Sequence, residues 1–305
     1  TGAQFVLTHP TPKGTLSATI TQIGASLRLF SIGDIELVEP YGEGQQAPLC
    51  AGQIMAPWVN RLDKGQWKYR ERLLQNPITL VEQENSNHGL LLEHAYELVE
   101  KTPTSVTLRG TIVPTEGYPF MVQTFVTYSL DDSGLTVTHR AVNQSVDPAP
   151  YATGAHPYFK FSAVDTGELT LRSDAATLTV VNPRQIPVAE AATIGSDFDL
   201  RGGVKVKDKF IDEDFTNLPR DAEGLAHTYL EVGDGRSLDV WQDETFKHVV
   251  IFTPSYFPTM DGGKTFAAAI EPSTAAPNAF NSGRDLMWLE PGVEFVGRWG
   301  VKVNL

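Results

Sequence analysis

The strongest constraint on the fold is an alternation of polar and apolar residues that recurs along most of the chain. It is clearest at 105–113, 123–130 and 135–142, and the turn Asp131-Asp132-Ser133-Gly134 separates the last two segments. A period of two is typical of half-buried antiparallel strands, and two such strands around a short Gly-containing turn predict a hairpin. Further strands are predicted at 169–171, 178–181, 229–232, 238–241, 249–252, 266–270 and 294–303.

Helical pattern is scarce by comparison. Only 90–100 and 277–283 suggest a short helix or turn. No repeat of about 20–50 residues is present, which argues against a propeller or a solenoid. No segment has the composition of a linker, so we expect residues 1–305 to form one domain, an all-β fold built as a large antiparallel β-sandwich.

Charge restricts the partners. The chain has 37 acidic and 24 basic residues, a formal net charge of -13. Such a surface repels phosphate backbones and anionic lipids, so we expect no nucleic-acid partner and no membrane partner. No apolar run approaches the roughly 18 residues that would span a bilayer. A neutral small molecule is compatible with this charge, and the sequence leaves a monomer and a homodimer open.

The single cysteine, Cys50, excludes an intrachain disulfide and a Cys-based zinc site. The seven histidines lack metal-binding spacing, and no Gly-rich segment matches a dinucleotide or phosphate-loop motif, so neither a metal nor a cofactor is expected. The first ten residues lack the basic start and apolar stretch of a signal peptide. We expect a cytoplasmic protein, although a removed leader would leave the same sequence.

Two segments place polar residues at turns where they can face a ligand. In P-W-V-N-R-L-D-K-G-Q-W, Asn60 and Arg61 lie between two tryptophans, whose faces can stack on sugars. The alternative is a surface turn in which Arg61 pairs with Asp63. In N-S-N-H-G, His88 follows three small polar residues and points either into a cleft or to solvent.

Two other segments set an ionisable group among apolar ones. Pro157 holds His156 in extended backbone between aromatic residues, an environment that suits a general acid near neutral pH. Glu271 closes the apolar run F-A-A-A-I, and burial there would raise its pKa towards that of a useful base. The alternatives are a core histidine bonded to a backbone carbonyl and a glutamate turned to solvent or capping a turn.

In this order the segments resemble the galactose mutarotase (aldose 1-epimerase) family. The matching motifs are P-W-V-N-R-L-x-x-G, N-H-G-L, G-A-H-P-Y-F, I-D-x-x-F and E-P-x-T-x-x-P-N-A-F-N, which begin at Pro57, Asn87, Gly154, Ile211 and Glu271. They span nearly the whole chain, and a P-G pair before the last predicted strand also fits. The resemblance implies a β-supersandwich with its active site in an open cleft on one sheet.

The resemblance also implies roles for individual residues. Glu271 would be the general base and His156 the general acid that open and reclose a free aldose such as glucose or galactose, interconverting its α and β anomers without a cofactor. Arg61, His88 and Asp212, together with the neighbouring Asn60, would bind the sugar. Asp214 lies two residues beyond Asp212 and competes for the same role. Ser273 and Ala275 stand where a bulkier residue and a glycine are expected, which predicts a different cleft shape there.

Three other functions remain open from the sequence. A hexose-6-phosphate epimerase of the same fold would need several basic residues around the cleft, whereas only Arg61 lies in a candidate segment. A glycoside hydrolase would need two carboxylates, for which Glu271 and Asp212 could serve. A non-catalytic sugar-binding or sugar-sensing protein would keep the pocket without needing both Glu271 and His156.

Overall fold

Two large antiparallel sheets form most of the molecule. The computed structural model describes residues 1–305, and about half of them lie in strands. In chain order the strands are β1 (Gln4–Thr11), β2 (Gly14–Thr21), β3 (Leu27–Ile32), β4 (Ile35–Glu36), β5 (Ile54–Met55), β6 (Arg61–Asp63), β7 (Gln66–Tyr69), β8 (Arg72–Gln75), β9 (Asn85–Asn87), β10 (Glu97–Lys101), β11 (Ser105–Ile112), β12 (Val122–Asp131), β13 (Gly134–Asn143), β14 (Ala149–Tyr151) and β15 (Gly154–Ala155). They continue as β16 (Tyr158–Phe159), β17 (Thr170–Ser173), β18 (Thr177–Val181), β19 (Pro187–Ala192), β20 (Val204–Lys205), β21 (Asp212–Thr216), β22 (Ala226–Glu231), β23 (Ser237–Gln242), β24 (His248–Phe252), β25 (Phe257–Pro258), β26 (Lys264–Thr265), β27 (Ala268–Ser273), β28 (Met287–Leu289) and β29 (Glu294–Asn304).

Helices are few and short. The one α-helix, α1, spans Ala279–Ser282. Four 3-10 turns lie at Pro48–Cys50, Val81–Gln83, Thr166–Glu168 and Val206–Asp208. None of these helices has the length and apolar character needed to cross a membrane.

The nine-stranded sheet has the order β10-β11-β12-β13-β29-β23-β22-β17-β20. The eight-stranded sheet has the order β19-β18-β21-β24-β27-β15-β5, with β16 also paired to β27. A four-stranded sheet, β1 to β4, and four two-stranded sheets complete the fold. Neighbouring strands that follow one another in sequence are joined by short turns, as at Asp131, which pairs with Gly134 at the end of the predicted hairpin.

One continuous apolar core of 55 buried residues joins the sheets. It includes Val126 and Val137 from the nine-stranded sheet and Val249 and Ile270 from the eight-stranded sheet. Each fully buried aliphatic side chain contributes roughly 1.5–3 kcal/mol to folding. The two sheets therefore share one interior, which confirms the predicted all-β sandwich.

The eight-stranded sheet has a second face that is not part of this core. Phe215 of β21, Val249 and Ile251 of β24, and Ala268 and Ile270 of β27 enter the core, and the residues that alternate with them point to the opposite face. That opposite face carries Asp212, Asp214, His248 and Glu271. This face also carries Val250, Phe252 and Ala269, and it places the ionisable residues together. The clear alternation in the sequence belongs to β11, β12 and β13 of the nine-stranded sheet.

Three local predictions can be compared with the structure. The segment 277–283 contains α1, as predicted. In 90–100, where the sequence predicts a short helix or turn, the chain makes a turn at 92–93 and ends in β10, and backbone groups of His94 and Tyr96 bond to Gly24 and Gln22. The strand predicted at 266–270 lies two to three residues later, as β27, so Glu271 is inside the strand and does not close it.

The turn predicted around His88 is tightly constrained. His88 and Gly89 have φ values of 58° and 81°, in the left-handed region that favours glycine. A Cβ on Gly89 would lie 2.0 Å from the carbonyl oxygen of Ala56. This close approach fixes the chain after β9 and so fixes where the His88 ring projects.

We expect Gly89→Ala to destabilise the protein more than Gly262→Ala does. Gly262 has a nearly identical φ of 84° but open space around its Cα, so it controls for backbone strain alone. Strain from left-handed backbone is about 1–2 kcal/mol at either position. The contact with Ala56 should add about 1–3 kcal/mol at Gly89 only. Urea unfolding of both variants measures the difference, and equal free energies of unfolding would contradict the close packing at Gly89.

Candidate active site

Strand pairing brings His156 and Glu271 together. β15 and β16 both pair with β27, in the registers Gly154 with Ser273 and Tyr158 with Ala269. These registers place His156, which lies between the two short strands, across from Glu271. The nearest atoms, Nε2 of His156 and Oε1 of Glu271, are 3.2 Å apart.

Both side chains lie at the floor of an open cleft. The cleft contains about 610 Å³ of empty space, solvent at its mouth included. This is within the roughly 300–1,000 Å³ typical of small-molecule sites. The lining residues are Leu49, Cys50, Asn60, Arg61, Leu80, Gln83, Asn87, His88, His156, Tyr158, Asp212, Phe252 and Glu271. All six residues that the sequence predicted for the site are among them.

Burial controls the protonation of the central pair. The side chains of His156 and Glu271 are 6% and 2% exposed. Because burial disfavours charge, it lowers the pKa of His156 to about 3 and raises the pKa of Glu271 well above its usual value, an effect that the nearby Asp212 increases. Nδ1 of His156 and Oε2 of Glu271 have no hydrogen-bond partner in the protein. Polar atoms buried without partners point to a ligand that supplies them.

His88 has a defined tautomer. Its Nδ1 accepts a hydrogen bond of 3.1 Å from the backbone N–H of Asn60. A backbone amide can only donate, so Nδ1 carries no proton and the neutral ring is protonated at Nε2. Burial lowers the pKa of His88 well below its usual value, which keeps the ring neutral. His88 therefore offers the cleft one N–H donor, with its ring 5.2 Å from that of His156.

Arg61 is held by three partners at the side of the cleft. Its guanidinium donates to both carboxylate oxygens of Asp212, at 3.0 and 3.4 Å. It also donates to Oδ1 of Asn60 at 3.1 Å and to Oε1 of Gln83 at 3.3 Å. The alternative pairing with Asp63 does not occur. Asn60 therefore acts on Arg61 directly, besides lining the cleft.

The choice between Asp212 and Asp214 is decided by their partners. Asp212 lines the cleft and pairs with Arg61, whereas Asp214 is buried beside His248. Oδ2 of Asp214 also accepts a 2.6 Å hydrogen bond from Thr179. Asp214 is thus occupied within the protein, and Asp212 is the carboxylate that faces the cleft.

His248 is buried between two carboxylates. Its Nδ1 lies 3.1 Å from Asp214 and its Nε2 lies 3.0 Å from Asp285. Burial opposes a charged ring, but the two carboxylates outweigh it and raise the pKa of His248 to about 9. The hydrogen bond to His248, with one to Lys247, lowers the pKa of Asp285. This ion cluster ties the segment after α1 to the cleft face of the sheet.

Arg184, which the sequence analysis missed, links the segments that carry Arg61 and Gln83. It donates to Asp63 at 2.7 Å, to the backbone carbonyls of Gln83 and Glu84, and to Oδ1 of Asn85. It belongs to the turn between β18 and β19, far from both segments in sequence. Nothing in its local sequence distinguishes it from other surface arginines.

The tryptophans predicted to flank the site do not line it. Trp58 and Trp67 are buried and pack against Phe280. The aromatic wall of the cleft is formed by Tyr158 and Phe252 instead. Ser273 and Ala275 are fully buried and do not line the cleft.

His88, His156 and Glu271 also have the spacing of a metal site, with ligand atoms within 4.8 Å of one another. The tautomer of His88 does not suit this use. Its Nδ1 already accepts a hydrogen bond, and its protonated Nε2 has no lone pair for a metal ion. The arrangement fits hydrogen bonding to a neutral ligand better than metal coordination.

The architecture matches the galactose mutarotase fold in solved structures. The GalM/aldose epimerase homologue of Caenorhabditis elegans superimposes with a TM-score of 0.86 over 99% of both chains, at 19% sequence identity. Galactose 1-epimerase of Lactobacillus acidophilus superimposes with a TM-score of 0.79 over 100% of both chains, at 16% identity. The protein is thus an all-β protein of the galactose mutarotase-like class.

Sequence comparison is more specific. Residues 6–300 match the profile of the aldose 1-epimerase family. The chain is 29% identical to the uncharacterized protein YihR of Escherichia coli K12, over 92% of this chain and 87% of that protein. It is 30% identical to human galactose mutarotase over 202 residues, which span 62% of this chain and 56% of the human protein. The chain belongs to the aldose 1-epimerase family.

The ion cluster around His248 makes stability depend on pH. The pKa of His248 is higher in the folded protein than the usual 6.5. Its contribution to the free energy of unfolding is therefore fully present below about pH 6.5 and is lost as pH rises through about 9. A tenfold change in proton affinity corresponds to about 1.4 kcal/mol, so the loss is on the order of 3 kcal/mol. We expect Asp285→Asn to reduce this loss, since it removes one of the two carboxylates.

The measurement is the free energy of unfolding in urea from pH 6 to pH 9.5. His227 lies between Asp221 and Asp239 and gives a pH dependence of the same sign, so the variant must be compared with the unmodified protein. Asp199→Asn is the control, since this aspartate pairs with Arg201 at the surface. Identical pH profiles for Asp285→Asn and the unmodified protein would contradict a charged His248.

Proposed function

We propose that this protein is an aldose 1-epimerase that interconverts the α and β anomers of a free aldose such as glucose or galactose. The observation that carries the proposal is the buried contact of 3.2 Å between His156 and Glu271 on the floor of an open cleft. An acid and a base held side by side, each with an unpartnered polar atom, are what ring opening requires. Membership of the aldose 1-epimerase family supports the same reaction.

The reaction needs two proton transfers. Glu271, as the carboxylate, takes the proton of the anomeric hydroxyl, while His156, as the imidazolium, gives a proton to the ring oxygen. The bond between C1 and the ring oxygen breaks, and the electrons of the former O–H bond form the carbonyl of the open-chain aldehyde. After rotation about the C1–C2 bond, the two transfers run in reverse and close the ring on the other face of the carbonyl.

The pair carries one proton in total throughout this cycle. Before ring opening the proton is on His156, and afterwards Glu271 holds one while His156 is neutral. The neutral arrangement is the one that burial favours in the free protein. The total is the same before and after ring opening, so the pair can serve either direction of the reaction.

The remaining residues of the cleft bind the sugar hydroxyls. Nε2 of His88 and the guanidinium of Arg61 are donors, and Asp212 is an acceptor. Gln83 and Asn60 hold Arg61 in place, and Arg184 holds the segments to which Arg61 and Gln83 belong. Tyr158 and Phe252 give the apolar wall on which the C–H face of a pyranose can lie.

Two rival functions agree less well with this geometry. A site for a sugar phosphate needs free cationic groups. Arg61 is the one Lys or Arg side chain that lines the cleft, and its ion pair with Asp212 neutralises it. A glycosidase needs a second carboxylate that is free to act on the bond, whereas both oxygens of Asp212 accept hydrogen bonds from Arg61.

The proposal is tested by polarimetry of freshly dissolved α-glucose and α-galactose. The protein should speed the approach to anomeric equilibrium for these sugars and act poorly on glucose 6-phosphate. Methyl galactoside should be inert because it has no anomeric hydroxyl to deprotonate. Release of methanol from it would indicate a hydrolase, and sugar binding without faster mutarotation would indicate a binding protein.

We expect Glu271→Gln and His156→Asn each to lose most of the activity, by roughly 10²–10⁴-fold, because each removes one proton-transfer partner. His9→Asn and Glu294→Gln are matched controls at the surface and should keep the activity. Circular dichroism checks that all four variants are folded. Activity within a few fold of the unmodified protein in either active-site variant would overturn its assigned role.

Arg184→Ala should raise the KM for the aldose more than it lowers kcat. Arg184 reaches the reacting groups only through Gln83 and Arg61, so its loss should loosen sugar binding and leave the proton-transfer pair in place. Losing hydrogen bonds from a charged group costs about 1.5–3 kcal/mol. Only part of this free energy is lost from sugar binding, so the KM should increase by about threefold to tenfold.

Arg201→Ala is the control, because this arginine forms its ion pair with Asp199 on the surface. Arg184→Lys should restore little of the lost sugar affinity, since an ammonium group cannot replace a guanidinium that donates to four partners. A variant in which kcat falls while KM is unchanged would show that Arg184 does not act by positioning Arg61.

A further inference from the structure

A row of aromatic side chains leads from the catalytic pair to the protein surface. The ring of Tyr158 lies 5.1 Å from that of His156, and the ring of Phe252 lies 6.4 Å from Tyr158. Phe210 and Tyr256 then meet Phe252 edge to face, at 6.0 and 6.5 Å. We call Phe210 and Tyr256 the aromatic rim.

The aromatic rim is much more exposed than the rest of the row. Phe210 is 61% exposed and Tyr256 is 46% exposed, whereas Tyr158 is buried and Phe252 is half-buried. A phenylalanine that leaves most of its ring in water gains little for folding. Clustered exposed apolar groups that continue a cleft mark a binding surface more often than single exposed ones do.

Hydrogen bonds hold the backbone on both sides of Phe210. Thr253 and Ile211 exchange hydrogen bonds of 2.9 and 2.8 Å, the first from N–H of Thr253 and the second from N–H of Ile211 to Oγ1. The hydroxyl of Thr253 also donates to the carbonyl of Lys209 at 2.8 Å. These contacts hold Phe210 beside Phe252, so this part of the rim is preformed.

We propose that the aromatic rim binds the second sugar ring of a reducing disaccharide whose first ring occupies the cleft. This inference rests on the proposed function. The reaction requires the anomeric hydroxyl at Glu271, so the rest of a longer sugar must leave the cleft through its open side. Phe252 lines the cleft and contacts both rim residues, so the surface for a second ring is continuous with that for the first.

The chemistry of the rim favours a sugar as the occupant. One face of a pyranose presents C–H groups that pack on an aromatic ring, while its hydroxyl groups point outward to water. Phe210 does not line the cleft and lies two ring contacts beyond Tyr158, so we expect a single pyranose seated on His156 and Glu271 not to reach it. The rim therefore affects longer substrates only.

The experiment compares glucose with lactose and maltose, which share a reducing glucose and differ in the linkage to the second ring. In the unmodified protein kcat/KM should be higher for at least one disaccharide than for glucose. Phe210→Ala and Tyr256→Ala should each lower the disaccharide value by about threefold to tenfold, as expected for one aromatic contact. The value for glucose should change by less than twofold.

Trp288→Ala is the matched control, since Trp288 is 48% exposed and does not line the cleft. Phe210→Tyr should keep the disaccharide value, because the ring remains. Equal effects on glucose and disaccharide, or none on either, would overturn the rim as a sugar subsite. A change from dimer to monomer in Phe210→Ala, measured by sedimentation, would assign the rim to self-association instead.

The aromatic rim can be tested even if the protein proves not to be an epimerase. If no sugar shows faster mutarotation, titration calorimetry with lactose still tests the rim. Lactose should then bind more tightly than glucose, and the difference should disappear in Phe210→Ala. Equal affinities for the two sugars would reject the rim whether or not the protein is an epimerase.

Discussion

The contact between His156 and Glu271 is the constraint on which the rest of the site depends. Two ionisable groups are held 3.2 Å apart where little water reaches them, and this burial favours the neutral form of both. The contact is a product of strand register. β27 lies between β24 on one side and the broken strand β15 and β16 on the other, and the break at Pro157 is where His156 enters. A slip of one residue in β27 would turn Glu271 into the apolar core.

The same sheet face carries more charge than the site uses. Asp214, His248 and Asp285 form a cluster in which each buried charge has a partner, and Arg61 and Asp212 form a second pair at the edge of the cleft. Unpaired, any of these groups would destabilise the fold, since burying a lone charge is costly. Among the ionisable residues that line the cleft, Glu271 and His156 each keep a buried atom without a hydrogen-bond partner, which a ligand can supply.

Much of the fold follows from the alternating sequence, because a sheet with one apolar and one polar face needs that pattern. The six residues expected to line the cleft do lie together. Asp212 and Glu271 belong to the eight-stranded sheet and His156 lies between two of its strands, whereas Asn60, Arg61 and His88 lie at the ends of the separate strand pair β6 and β9. The local sequence pattern could not predict the other features of the site. Trp58 and Trp67 stand on either side of Asn60 and Arg61 in sequence but are buried against Phe280 in the core, a contact between segments far apart in the chain. Arg184 and His248 depend on partners far away in the chain, which no local pattern records.

The hydrogen bond from the backbone N–H of Asn60 to His88 determines that His88 acts as a hydrogen-bond donor in the cleft. Because Nδ1 of His88 accepts that bond, the ring presents a proton to the ligand and never a lone pair. Arg61 likewise presents only protons, and Asp212 as a carboxylate presents only lone pairs. A hydroxyl group can meet either kind of partner, but a fluorine in its place can only accept. The cleft is therefore expected to tolerate fluorine in place of a hydroxyl beside His88 or Arg61 and to reject it beside Asp212.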